Sequence, residues 1–222
     1  MTRAELRTLT ARLCEDPNQT KFTADKYNDA LTKAENQFAM DSKALYKDSS
    51  ITMVLSTASY DLPTDFMLEK EVTLNGIELA PISRATLQAN KKSDKWSDDA
   101  GTPRYYVIDP EEARKTITLY PIPDSVNDGT DLVLTYYVFP TPMTGDTSVP
   151  LNSSALMVQF HMGLAAYAAW LLLMYLQQSS EISRKRSELF GIYNTKVGEA
   201  IQTFGNTKSE PLSFHVENIR VR

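Results

Sequence analysis

The chain has 222 residues, of which 42% are hydrophobic and only 8 are Gly, so it can form a packed core in one large or two small domains. Its formal net charge of -5 argues against a protein that grips the phosphate backbone, because that affinity comes from Lys and Arg displacing counterions. The single Cys14 excludes an internal disulfide and a cysteine cluster for metal. The first residues contain no apolar run after a basic start, so no signal peptide is indicated and synthesis in the cytoplasm is expected.

Residues 1–49 predict two helices. The first begins with Thr2 and Glu5 at capping-box spacing and ends at Asp16-Pro17-Asn18. Its apolar stripe consists of Leu6, Leu9 and Leu13. The second helix is predicted to start near Thr23, because apolar residues recur after it at roughly helical period. These residues are Tyr27, Leu31, Ala34, Phe38 and Leu45.

Residues 50–140 predict a β-rich domain, because the apolar period changes to two and turn residues become frequent. Asn75-Gly76 predicts a two-residue hairpin turn, since both positions accept the positive φ angles that such a turn needs. A second hairpin is predicted from Tyr105–Ile108 and Lys115–Tyr120, with a longer loop between them.

The strand predicted from Asp131 to Phe139 is apolar on both faces. One face carries Leu132, Leu134, Tyr136 and Val138, and the other carries Val133, Tyr137 and Phe139. A strand of this kind is expected to be covered on both sides, and a neighbouring subunit is a candidate for one of the covers.

Residues 141–151 predict a linker, because this segment is rich in Pro, Ser and Thr. After it, Asn152 or Ser153 is predicted to cap a helix that runs to about Ser179, and a second helix runs from about Ser180 to Phe204. The two helices, residues 152–204, form a helical hairpin that is expected to pack with residues 1–49. The apolar seam of the second helix is Ile182, Leu189, Ile192, Tyr193, Val197 and Ile201.

Residues 205–222 predict an extended C-terminal arm. Leu212, Phe214 and Val216 alternate with polar residues, and the chain closes on Ile219-Arg220-Val221-Arg222. Burying such side chains stabilises by about 1.5–3 kcal/mol each, so we expect the arm to be docked rather than left in water. The residues alone leave two docking sites open, namely the chain's own β domain and another chain.

The run from Leu164 to Leu176 is apolar throughout and is followed by Arg184-Lys185-Arg186, which raises the alternative of a membrane anchor. A spanning helix needs about 20 apolar residues, and extending this run upstream brings in Gln159 and His161. We therefore expect a helix buried between neighbours in an assembly, with no membrane.

The sequence does not predict a catalytic site, a metal site or a bound cofactor. Asp98-Asp99 and Glu111-Glu112 are adjacent carboxylates in turn-like sequence, where neighbouring side chains do not converge. His161 has no acidic or Cys residue one helical turn away, so it is interpreted as a buried or interfacial imidazole bonded to backbone. Phosphate-binding loops and nucleophile-elbow motifs are absent from the sequence.

Lys91, Lys92 and Lys95 stand beside Trp96, a combination that resembles a patch for single-stranded nucleic acid. Asp94, Asp98 and Asp99 cancel the positive charge within the same stretch. The segment is therefore interpreted as a solvated loop, with incidental contact to passing DNA as its functional alternative.

Four motifs in the middle of the chain carry a family resemblance. They are Tyr60-Asp61-Leu62-Pro63-Thr64-Asp65-Phe66, Gly101-Thr102-Pro103-Arg104-Tyr105-Tyr106, Leu119-Tyr120-Pro121-Ile122-Pro123-Asp124 and Leu132-Val133-Leu134-Thr135-Tyr136. Their order, followed by the Ala-rich helical pair, resembles the subunits of bacteriophage head-to-tail adaptor (connector, head-completion) rings.

The resemblance implies a virion structural protein at the head-tail junction, in a ring that is commonly of twelve copies and lies beneath the portal. It implies that the β-containing part faces the tail side and meets an adaptor, stopper or tail tube protein. The bore of the ring would pass double-stranded DNA without specific binding. No catalytic residue is carried over, so no enzyme is expected.

The sequence and the resemblance together predict an α+β fold, with a helical bundle, an inserted antiparallel β domain and an extended arm. The portal-binding arm is predicted to use Leu212, Phe214, His215, Val216, Ile219, Arg220, Val221 and Arg222. The expected subunit contacts are Tyr137, Phe139, Tyr167, Trp170 and Leu171. A soluble enzyme or carbohydrate-binding module that uses the aromatic residues of the β domain remains the alternative.

Overall fold

The computed structural model describes residues 1–89, 99–109, 116–153, 155–177 and 179–205. Its helices and antiparallel sheets confirm the predicted α+β fold class. The chain divides into two compact units, one formed by Met1–Ala44 with Met143–Arg222 and the other by Leu45–Pro142.

The α-helices are α1 (Arg3–Leu13), α2 (Ala24–Ser42), α3 (Arg84–Ala89), α4 (His161–Leu173) and α5 (Ser180–Gly205). The strands are β1 (Tyr46–Thr52), β2 (Ser59–Asp61), β3 (Phe66–Leu74), β4 (Ile77–Glu78), β5 (Ala80–Pro81), β6 (Ala100–Gly101), β7 (Tyr105–Asp109), β8 (Thr116–Tyr120), β9 (Ile122–Pro123) and β10 (Asp131–Val138).

The first helix begins as its sequence predicts. The Thr2 side chain accepts a hydrogen bond from the Glu5 N–H, and the Glu5 carboxylate accepts one from the Thr2 N–H, which completes the capping box. After α1, the carboxylate of Asp16 organises the turn into α2. It accepts hydrogen bonds from the N–H groups of residues 20–22 and from the hydroxyls of Thr20 and Tyr27.

Helix α4 is the centre of the helical unit, where it packs against α1, α2 and α5. Because it has neighbours on several sides, its apolar residues face in all directions. The buried ones are Gly163, Leu164, Ala165, Ala166, Ala168, Ala169, Leu172 and Leu173. Within the described residues, no helix combines the length and the apolar character needed to cross a bilayer.

The predicted helix from Asn152 or Ser153 to about Ser179 is wrong at both ends. Two short 3-10 segments, Leu151–Ser153 and Ala155–Phe160, precede α4, because Leu151 and Asn152 have φ angles of 54° and 57° that an α-helix excludes. At the other end, three successive N–H groups bond to the carbonyl three residues back, which tightens and ends the helix at Leu173. The Ser179 hydroxyl then caps α5, which begins at Ser180 as predicted.

The segment before α4, which its composition predicts to be a linker, is bonded along much of its length to α1 and α2. Arg3 and Ala4 donate their N–H groups to the carbonyls of Ser148 and Asp146, at 2.8 and 3.1 Å. The Leu151 N–H donates to the buried carboxylate of Glu35 at 2.7 Å. These bonds hold residues 146–151 against the helical unit.

The β unit contains a four-stranded sheet in the order β1-β10-β3-β4 and a second in the order β2-β8-β7-β5. Both predicted hairpins are confirmed, since β3 and β4 join through Asn75-Gly76 at φ angles of 52° and 76°, and β7 pairs antiparallel with β8. Two short pairs, β5 with β7 and β6 with β9, are parallel. The first sheet presents Leu132, Leu134, Tyr136 and Val138 to the core, where all four are buried.

Candidate assembly surfaces

Among the described residues, no group of three or more His, Cys, Asp or Glu side chains is arranged to hold a metal ion. His161 is 1% exposed, its Nδ1 lies 3.0 Å from the amino nitrogen of Met1, and its Nε2 has no hydrogen-bond partner among the described residues, so the predicted bond of the imidazole to a backbone peptide group is wrong. Burial, followed by the charge of that amino group, lowers the pKa of His161 to about 4. The imidazole is therefore neutral at pH 7 and belongs to the packing of the helical unit.

The second face of the β1-β10-β3 sheet carries a group of exposed apolar side chains, here called the outer sheet face. It consists of Tyr46, Leu68, Val133 and the half-buried Tyr137, together with Phe139, which directly follows β10. Tyr46 and Leu68 lie directly opposite Tyr137 on the two neighbouring strands. Tyr46 is 45% exposed, Phe139 39%, Leu68 38% and Val133 36%, so the outer sheet face keeps a large part of its apolar surface in solvent.

The outer sheet face has an acidic rim. The strand register places Asp48, Glu71, Glu78 and Asp131 on the same face as Val133. Asp48 accepts a hydrogen bond from Thr135 at 2.7 Å, and Asp131 accepts one from Thr52 at 2.9 Å. The Nζ of Lys70 lies 3.5 Å from the centre of the Tyr46 ring, which adds one cation to this face.

A second apolar surface, partly exposed, lies on α4 and its C-cap residue and is here called the α4 stripe. It consists of Tyr167, Trp170, Leu171 and Met174, which follow one another at the spacing of one helix face. The first three are half-buried and Met174 is 49% exposed. The three residues of α4 that the sequence predicts to contact a neighbouring subunit therefore share one face.

Part of the α4 stripe packs against α5 of the same chain. The Tyr167 ring lies 4.5 Å from the ring of Tyr193, and the Trp170 ring lies 5.2 Å from that of Phe190, measured between centroids. The guanidinium carbon of Arg186 lies 5.8 Å from the Trp170 ring centre. Phe190 remains 38% exposed, so it extends the apolar surface from α4 onto α5.

A groove of about 220 Å³ borders the stripe on its other side, between α2 and the end of α4. Its apolar wall is formed by Ala30, Leu171, Leu172 and Tyr175, of which Tyr175 is 74% exposed. Lys26 and Lys33 line it from α2, with Asp29 between them in sequence. The groove is therefore an apolar cleft with a mostly basic edge.

The two units differ in charge. Residues 45–142 contain 15 acidic and 9 basic side chains, a net charge of -6. Residues 1–44 and 143–222 contain 13 acidic and 14 basic side chains, a net charge of +1. The acidic balance of the chain thus comes from the β unit.

Several predicted site residues lie outside the described residues. They are Lys91, Lys92 and Lys95 of the basic stretch, and Leu212, Phe214, His215, Val216, Ile219, Arg220, Val221 and Arg222 of the arm. The carboxylates Asp98, Glu111 and Glu112 lie outside them as well.

Sequence reasoning missed the residues that complete each surface. Tyr46 and Leu68 join Tyr137 only through strand register, which no local pattern contains. Lys26 and Lys33 look like an ordinary solvated helix face until α4 is placed beside them. Of the missed residues, Phe190 had the strongest sequence signal. It lies one helical turn from both Arg186 and Tyr193, so it shares their face of α5.

Comparison with known proteins identifies a family. A model of the family described as SU10 adaptor protein matches residues 1–212. Curated proteins give no match. Because the family model covers nearly the whole chain, it confirms the resemblance to phage head-to-tail adaptors that the motifs carry. The chain therefore belongs to the SU10 adaptor protein family.

Proposed function

We propose that this phage adaptor forms a closed ring of twelve copies between the portal and the tail, with a central channel through which double-stranded DNA passes. In this proposal the C-terminal arm, residues 212–222, docks on the portal, and the β unit meets the tail-side adaptor, stopper or tail tube protein. The protein acts by contact, without a cofactor and without a reaction.

The observation that carries the proposal is the pair of exposed apolar surfaces. A lone subunit would leave Tyr46, Phe139, Met174 and Tyr175 largely in water, at 39 to 74% exposure. Contiguous apolar patches of this kind are typical of protein contact surfaces. Membership of a phage adaptor family supports the assignment of these surfaces to contacts within the virion.

The charge of the β unit also supports the channel. A net charge of -6 over residues 45–142 disfavours tight binding to the phosphate backbone, and a basic lining would slow DNA that has to pass. The proposal therefore expects purified protein to show no salt-dependent affinity for double-stranded DNA.

The experiment is to incubate the full chain, and a chain that lacks residues 212–222, with purified portal rings. Electron microscopy should show the full chain as an additional ring on the portal, with an axial opening. The truncated chain should keep the circular dichroism spectrum of the full chain and fail to join the portal. Equal recruitment of both chains would contradict the arm's role, and a full chain that never joins the portal would contradict the proposal as a whole.

A further inference from the structure

The two exposed surfaces differ in their charged surroundings, which suggests how copies meet. We propose that the outer sheet face of one copy packs against the α4 stripe and its basic groove on the next copy. This inference rests on the proposed ring and names the two surfaces that build it.

The first argument is the similar chemistry of the two apolar centres. Each presents large side chains that remain between about one third and three quarters exposed in the single chain, including Tyr46 and Phe139 on the sheet and Phe190 and Tyr175 on the helical unit. Aromatic and Met side chains are enriched at the centres of protein interfaces, with polar residues at the rim. Both surfaces have this organisation.

The second argument is charge complementarity. The outer sheet face is edged by Asp48, Glu71, Glu78 and Asp131, whereas the helical surface is edged by Lys26, Lys33 and Arg186. Lys70 is the opposite charge on the sheet surface, and Asp29 and Asp41 are the opposite charges on the helical surface, where Asp41 accepts a hydrogen bond from Tyr193; they are outnumbered on each surface. Opposite rims attract each other and set which surfaces meet.

The third argument concerns symmetry. If the outer sheet faces of two copies met, the four rim carboxylates of one copy would lie close to those of the other. If the helical surfaces of two copies met, Lys26 and Lys33 of one copy would lie close to the same lysines of the other. Both self-contacts are opposed by repulsion between like charges, so the pairing of unlike surfaces is favoured. A contact between two different surfaces is head-to-tail, which is the kind that closes into a ring.

The test exchanges charges between the surfaces. The helical variant carries Lys26→Glu and Lys33→Glu. The sheet variant carries Asp48→Lys and Asp131→Lys. All four side chains are exposed, so both variants are expected to fold. Each variant alone gives the two meeting surfaces net charges of the same sign at every contact, even though Glu71, Glu78 and Arg186 are kept, and should form no ring on portal rings. A 1:1 mixture should form rings again, because alternating copies then offer opposite charges at every contact.

Two control variants shift the net charge by the same amounts at exposed positions that belong to neither surface as defined above. R12E/R104E matches the helical variant and D61K/E181K matches the sheet variant, and both controls should assemble like the unmodified chain. Thermal unfolding followed by circular dichroism verifies that all four proteins are folded. Mass photometry and electron microscopy then measure the assembled fraction, which should fall at least tenfold in each single variant and recover in the mixture.

Each other outcome overturns the inference. Rings formed by either variant alone would mean that its altered surface does not pair with the other, and a mixture that stays unassembled would mean that the two surfaces do not meet each other. In both cases the ring of the unmodified chain still stands. If the unmodified chain forms no ring with or without the portal, the proposed function fails instead, and this inference fails with it.

Discussion

At the scale of single residues, Asp16 shows how one carboxylate organises a turn. It is 2% exposed, yet it accepts hydrogen bonds from backbone N–H groups and from the hydroxyls of Thr20 and Tyr27. Burial alone would raise the pKa of Asp16, but the hydrogen bonds from Tyr27, Thr20 and Lys21 outweigh it and lower the pKa to about 2. The ionised form is therefore part of the folded structure at neutral pH.

The substitution Asp16→Asn should destabilise the protein by about 2–4 kcal/mol at pH 7, because an amide replaces a charged acceptor and leaves buried donors poorly paired. The folded-state pKa lies below its ordinary value, so the contribution of Asp16 is present above pH 4 and is lost as the pH falls toward 2. Urea unfolding at pH 7 and at pH 3 measures this difference. An equal loss at both pH values would contradict the role of the charge.

Glu35 is a buried acid whose pKa is shifted in the opposite direction from that of Asp16. It is 1% exposed, its Oε1 accepts the Leu151 N–H, and its Oε2 has no partner among the described residues. Burial raises the pKa of Glu35 to about 7, against the opposing effects of the Leu151 N–H and of Arg3. Because the folded pKa is raised, the folded state loses stability as the pH rises from 4.5 through 7.

The variant Glu35→Gln keeps an acceptor for Leu151 and removes the charge. At pH 8 it should be more stable than the unmodified chain by on the order of 2 kcal/mol, and the difference should disappear near pH 5. His161 loses its stabilising effect as the pH falls from 6.5 toward 4, and the comparison of the two proteins cancels that effect. Thermal unfolding between pH 5 and 8 tests the prediction, and a difference that does not vary with pH would contradict it.

At the scale of the elements, the close packing of α4 on α5 depends on Gly163. A Cβ placed on Gly163 would lie 2.8 Å from the Cβ of Lys196, which real side chains do not tolerate without movement. On α5, a Cβ on Gly198 would meet no atom within 4 Å. The two glycines therefore offer a matched pair in neighbouring helices.

Gly163→Ala should destabilise the helical unit by about 1–3 kcal/mol through overpacking, even though Ala favours a helix. Gly198→Ala should stabilise it by up to about 1 kcal/mol, because it gains helix propensity without a clash. Chemical denaturation of both variants measures the difference between them. A stabilising Gly163→Ala would show that α4 and α5 separate easily and would contradict the packing described above.

The elements that could be predicted from sequence are those with local signals. The capping box of Thr2 and Glu5, the Asn75-Gly76 turn and the alternation of β10 all follow from residues close together in the chain. The start of α4 could not be predicted, because the left-handed conformations of Leu151 and Asn152 accompany a tertiary hydrogen bond to Glu35. The seam of α5 was also partly wrong, since Ala200 is buried while the predicted Ile201 is 46% exposed.

The candidate surfaces were predictable only in part for the same reason. Tyr137, Tyr167 and Trp170 stand out as large aromatic residues in strongly apolar elements. Their partners depend on strand register and on helix neighbours, which are long-range properties. A single sequence therefore indicates some prominent residues of a surface more readily than the neighbours that complete it.

At the scale of the whole molecule, the chain is a pair of units with different charge, and the described residues of each unit carry one of the two candidate surfaces. Membership of the SU10 adaptor protein family makes it a structural protein of the phage virion. Within the proposed ring, these surfaces explain how a chain with a net charge of -5 associates with its own copies, because the charges are distributed unevenly between the units.

The central claim is that copies of this chain cover one another's apolar surfaces in a closed ring on the portal. Native mass spectrometry of the purified portal–adaptor complex measures the number of adaptor chains directly. The account predicts a single complex with twelve adaptor chains and no populated partial rings at saturation. A monomer that stays monomeric at high concentration, with portal rings present or absent, would contradict it.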